Sequence, residues 1–118
     1  MRNQDALARY VETLPLESRE WVIALYVDDA FNLLSVETIG RGTVHSAPIN
    51  IGRVICRGRA IEATGFFLVH NHPSGDPKPS PADVAVTKRL QQAADACGLT
   101  MLSHLVVAKN GMRTVGNW

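Results

Sequence analysis

Residues 66–83 read FFLVHNHPSGDPKPSPAD, and few local arrangements can accommodate that order. The apolar run Phe66–Val69 is continuous, as in a strand buried on both faces. It ends in His70 and His72. A Pro-rich loop, 73–81, follows. Ser80 is a good N-cap and Pro81 suits the first helical position. From there PADVAVTKRLQQAADAC, residues 81–97, runs as a helix closed by Gly98. Ligand sites in α/β sheets gather at the carboxyl ends of strands, which is where the two histidines fall.

The remaining segments fit around this unit. DALARYVETL, 5–14, has Leu7, Tyr10, Val11 and Leu14 at helical spacing, and Pro15 ends it. WVIALYV, 21–27, is a second continuous apolar run. DDAFN reads as a turn and LLSVETI, 33–39, as the returning strand of a hairpin. GRGTV breaks that strand. Residues 49–63 are expected to be helical, although Gly52 and Gly58 each cost about 1 kcal/mol there. LSHLVVA, 102–108, and MRTV, 112–115, flank the hairpin signal KNG. The order α-β-β-α-β-α-β-β implies an α/β domain, a mixed sheet flanked by helices. With 118 residues, the chain suits a single domain spanning 1–118.

Successive strand residues point to opposite faces, so His70 and His72 share one side. Two neutral imidazoles on one side are a usual start for a zinc site. Asp83 falls at the third helical position, on a stripe with Val86, Leu90, Ala94 and Cys97. A carboxylate on an apolar stripe needs a partner or a metal. Each residue also has a plainer reading. Ser80 and Asp83 fit a helix cap and a first-turn acid. The two histidines fit core residues bonded to backbone. The coincidence of all four favours a metal held by His70, His72 and Asp83. Three protein ligands leave a fourth position for water, the catalytic rather than the closed structural arrangement.

Composition excludes several classes. The net charge is +1 with the histidines neutral, too small to argue for nucleic acid or an acidic membrane. No apolar run approaches the ~20 residues of a membrane span. The N-terminus MRNQDALARY lacks the apolar core of a signal peptide, so a cytoplasmic location is expected. Cys56 and Cys97 form no C-x-x-C and are read as buried thiols.

The pattern H-x-H, seven residues, S, two residues, D resembles the signature of the JAMM (MPN+/JAB) metalloproteases. It is carried here by His70, His72, Ser80 and Asp83. The fuller string HNHPSGDPKPSPAD, followed by VTKRL, resembles the RadC branch of that family. So do WVIALYVDDAFNLLSVETIGRGTVHSAPI and LSHLVVAKNG, and the likeness covers residues 5 to 111. It implies a fold similar to the cytidine-deaminase arrangement and a Zn2+ ion held by His70, His72 and Asp83. It implies that Ser80 stabilises an oxyanion and that Glu37, in SVETIGRGT, is the general base. The chain departs from the family in three places. The additional N-terminal helix-hairpin-helix region of full-length RadC proteins is not seen. Ser103 stands where an Asp usually precedes the histidine of LSHLVV, and the tail MRTVGNW is only weakly similar.

Other residues are weighed beside these. Glu62 is the rival base, near a helix end. His45, after a glycine pair, is the weaker candidate for touching substrate. His104, at the start of an apolar strand, reads as a structural or supporting residue. Arg53 and Arg57 lie four apart and read as a solvated helix face. The expected function is a zinc-dependent hydrolase acting on a peptide or isopeptide bond of a peptide or protein substrate. The alternatives are a DNA-repair-associated role and a metal-stabilised interaction module without activity. A zinc deaminase would need H-x-E and P-C-x-x-C, which this chain lacks. The contiguous H-N-H is not the dispersed motif of HNH nucleases. A homodimer and an association with DNA are left open, and no membrane contact is expected.

Overall fold

The structure, a computed structural model, describes residues 19–42 and 49–116. The helix expected over 5–14 and the loop histidine His45 lie outside them. Among these residues five strands form one sheet in the order β2-β1-β3-β4-β5. Strands β1 (Trp21–Val27) and β2 (Leu33–Arg41) form an antiparallel hairpin, and β3 (Gly65–Asn71) lies antiparallel to β1. Strand β4 (Thr100–Ala108) runs parallel to β3, and β5 (Gly111–Thr114) closes the sheet antiparallel to β4. Helix α1 (Ile51–Ala60) joins β2 to β3, and α2 (Pro81–Ala96) crosses from β3 to β4. The expected mixed α/β sheet with its helices is what the chain forms.

The β1–β2 turn forms because Asp28 gathers it. Its carboxylate accepts from the Ala30 and Asn32 N–H groups, both at 2.9 Å, and from Asn32 Nδ2 at 3.1 Å. These bonds, the Asn32 N–H foremost, hold its pKa below the usual carboxylate value.

Strands β1 and β3 are covered on both faces, which is why their sequences are continuous apolar runs rather than alternating ones. One face packs Ala24, Tyr26, Phe66 and Leu68 against Val54 of α1 and Leu90 and Ala94 of α2. The other gathers Trp21, Leu25, Phe67, Val69 and Val107. Burying one such side chain contributes about 1.5–3 kcal/mol. Tyr26 ties the helix layer to the sheet, its hydroxyl donating to Val54 O at 2.7 Å. Burial, with the nearby Glu37 carboxylate, pushes that hydroxyl up to about 12, so it stays a donor.

Helix α1 is shorter than the expected 49–63. Ile61 caps it, and Glu62 turns the chain out of helix with φ 58. Gly58 is buried against β1, where an added Cβ would come within 3.0 Å of Tyr26 Cε1 and 2.9 Å of Leu99 Cδ1. The glycine that weakens the helix therefore lets it approach the sheet. One expectation is corrected: the Cys56 thiol is exposed, because it lies on the side of α1 opposite Val54 and Ile55. Cys97 is half-buried and packs at the edge of the helix-side core. Among the described residues no helix is long and apolar enough to cross a membrane.

Candidate metal centre

His70 is the penultimate residue of β3 and is buried. The His72 N–H donates to Val107 O at 2.8 Å, extending the β3–β4 pairing one step past the strand. Alternation therefore persists through H-N-H and both rings face the helices. Asn71, between them, faces the other way. Its Oδ1 accepts from the Trp21 N–H at 2.6 Å, and its Nδ2 donates to Arg19 O at 2.9 Å. The middle letter of the motif thus pins β1 beside β3. The loop beyond is fastened too. Gly75, with φ 91, accepts the Asn110 N–H at 3.1 Å, which attaches it to the β4–β5 turn. His72 Nδ1 lies 3.0 Å from Asp76 O. A carbonyl only accepts, so this nitrogen carries the proton and Nε2 is turned toward the cluster.

Helix α2 supplies the carboxylate. Ser80 Oγ accepts from the Asp83 N–H at 3.0 Å, while Asp83 Oδ2 accepts from the Ser80 N–H at 2.7 Å, a reciprocal capping box. The same carboxylate faces the histidines. Asp83 Oδ1 lies 3.4 Å from His70 Nε2, and Oδ2 lies 3.2 Å from His72 Nε2. The two Nε2 atoms are 3.0 Å apart. The cap and the cluster are therefore one arrangement, not alternatives. Burial alone would raise the Asp83 pKa. The His70 imidazole and the Ser80 N–H outweigh it and hold the carboxyl well below the usual range. Tetrahedral zinc with bonds of ~2.0–2.1 Å requires ligand atoms about 3.3 Å apart. The two Nε2 atoms and the nearer carboxylate oxygen to each ring are close to that spacing, and one ligand atom from each of the three side chains lies within 4.8 Å of the others, a group able to hold a metal ion.

Behind His70 lies a buried line of polar groups. His70 Nδ1 is 2.7 Å from His104 Nε2, and His104 Nδ1 is 2.7 Å from Thr87 Oγ1. Thr87 also bonds the carbonyl of Asp83 at 2.6 Å. His104 is fully buried, and that burial, together with the neighbouring His70, lowers its pKa to about 3. Sequence reasoning did not single out Thr87. Its only signal was its place four residues after Asp83, on the same helical stripe.

Glu37 sits in β2 opposite Ala24, which in turn sits opposite Leu68 of β3. It therefore projects from the same face as His70. Its backbone lies about 12 Å away across two strands and one pleat repeat along them. Its carboxylate pairs with Arg57 of α1 and accepts from Ser35 Oγ at 3.1 Å, rather than touching the three clustered residues. Arg57 is thus an ion-pair partner and not only a solvated helix charge. Glu62 is exposed beside the start of β3, at the opposite end of that strand from His70. Ser103 is buried in β4, where it pairs with Phe67 of β3.

The family model described as RadC-like JAB domain matches residues 1–115. Among curated proteins, the chain is 38% identical over 108 residues to UPF0758 protein Smlt0399 of Stenotrophomonas maltophilia strain K279a, covering 91% of this chain and 46% of that protein. It is 44% identical over 85 residues to a UPF0758 protein of Rhodobacter capsulatus, covering 72% of this chain and 40% of the relative. The chain thus spans less than half the length of these relatives.

Proposed function

The chain belongs to the RadC-like JAB domain family, and we propose that it is a zinc-dependent hydrolase that cuts an amide bond in a peptide or protein. One observation carries this reading: His70 Nε2 and His72 Nε2 lie 3.0 Å apart and the Asp83 carboxylate faces both, Oδ1 at 3.4 Å from the first and Oδ2 at 3.2 Å from the second, close to the spacing of ligands around tetrahedral zinc. His70, His72 and Asp83 would hold the ion. Zinc bound there supplies a Lewis acid and lowers the pKa of its water toward ~7.

The chain's own groups do the rest. Ser80 Oγ spends a lone pair on the Asp83 N–H and keeps its hydroxyl proton, which it donates to the oxygen of the carbonyl under attack. Glu37 takes the proton of the attacking water and returns it to the departing amine nitrogen as the C–N bond breaks. In the structure its carboxylate is bound by Arg57 and Ser35, so this role requires Glu37 to leave Arg57 when substrate is bound.

The test is a cleavage screen of peptides and isopeptide-linked conjugates with the zinc-loaded chain. The wild type cuts at least one class. Glu37→Gln keeps its zinc and loses turnover by at least ~100-fold, the scale of acid–base catalysis. A zinc-loaded wild type that cuts nothing would contradict the hydrolase reading and favour a metal-stabilised interaction module. A Glu37→Gln variant of normal rate would remove Glu37 from the scheme.

A further inference from the structure

The line Thr87–His104–His70 has a direction, and the direction decides whether His70 can ligate anything. Read one way, each group passes a proton toward the helix backbone. Read the other way, each passes one toward the cluster, and His70 Nε2 ends up as an N–H that cannot bind a metal. The endpoint distinguishes the two. Asp83 O is a carbonyl and only accepts. Thr87 has one hydroxyl proton, and its 2.6 Å contact with that carbonyl uses it. Thr87 Oγ1 must then accept from His104, which places the His104 proton on Nδ1. The opposite nitrogen of a neutral imidazole is a bare lone pair, so His104 Nε2 accepts from His70 Nδ1. His70 is left with Nε2 as its free ligand atom. Thr87, His104 and His70 are all buried, so water does not substitute for a missing partner.

We propose that Thr87 and His104 are positioning residues, which orient the His70 tautomer by anchoring a buried proton line on the backbone of the helix that also carries Asp83. This rests on the metal reading of the cluster. His72 is oriented separately, by Asp76 O in the loop. The two histidine ligands are thus set by independent carbonyls, one on α2 and one before it. A side chain distant from the ion controls affinity through the ligand it bonds, typically by 10- to 100-fold.

Thr87→Val tests this with little change of volume, and Thr87→Ser restores the hydroxyl. Two quantities are read on wild type and both variants. One is the His104 tautomer, from imidazole 15N shifts of the metal-free protein. The other is the zinc dissociation constant, from competition with a chelator. Wild type and Thr87→Ser should carry the His104 proton on Nδ1. Thr87→Val, with nothing at that position to accept, should move it to Nε2 and bind zinc ~10- to 100-fold more weakly, with Ser recovering most of the loss. A wild-type His104 protonated at Nε2 would overturn the proposal. So would a Val variant that binds zinc as tightly as wild type, or a Ser variant as weak as Val. Because the tautomer is read without metal, it decides the role of Thr87 even if the wild type takes up no zinc, a result that would count against the metal reading alone.

Discussion

Ser80 Oγ both closes a helix and stands beside the carboxylate that faces two histidines, so its two roles need separating. Glycine at an N-cap costs only a few tenths of a kcal/mol relative to serine, whereas alanine costs about 1 kcal/mol. Ser80→Gly therefore keeps the fold and the zinc while removing the hydroxyl donor. On a substrate found by the screen its turnover should fall ~100- to 1,000-fold, the loss seen for one oxyanion donor. A wild-type rate would leave Ser80 as a cap alone. The residues legible in sequence were those whose geometry is local. Alternation put His70 and His72 on one side, and the cap placed Asp83 in the first turn. Thr87 and Arg57 were not legible, because what they do depends on partners far along the chain. Thr87 meets His104 across 17 positions and Arg57 meets Glu37 across 20. Nothing in VTKRL or CRGRA announces either meeting.

Helix α1 is where element-level reasoning was least secure. Its two glycines argue against a helix on propensity, and it forms because Val54 and Ile55 bury a face against the sheet. Gly58 is part of that face, and propensity and packing make opposite predictions for it. Alanine in a helix is favoured over glycine by about 1 kcal/mol. A methyl at Gly58 would press on Leu99 and on the Tyr26 ring, both buried, the ring being held by its bond to Val54 O. Overpacking of this kind typically costs about 1–3 kcal/mol. Gly58→Ala should therefore lower the midpoint of urea unfolding, and a raised midpoint would mean that α1 rides higher on the sheet than described. Cys56 was misjudged for a related reason. The short helix has a narrow buried stripe, and apolar character alone does not say which side of it a residue takes. The strands were easier, because continuous apolar runs in β1 and β3 correspond to burial on both faces.

Across the whole molecule, the parallel pairing of β3 with β4 through α2 follows from a strand-helix-strand order. The placing of β1 between β2 and β3 does not, since hairpins can add to either edge of a sheet. That placing matters for function. It sets Glu37 on the face of His70 but two strands away, with Arg57 of the helix layer between two possible uses of its charge. Every role proposed for these residues depends on an ion held where β3 ends and α2 begins. The most direct measurement is zinc content per chain, by elemental analysis of protein purified without chelator, for wild type and His72→Ala. His72 lies one residue past β3, outside both apolar core clusters, with Nδ1 on a loop carbonyl and Nε2 turned to the cluster, so the variant should fold. One zinc per wild-type chain and little in the variant is the predicted result. A His72→Ala protein that keeps a full zinc, or a wild type that takes up none when zinc is supplied, would contradict the account.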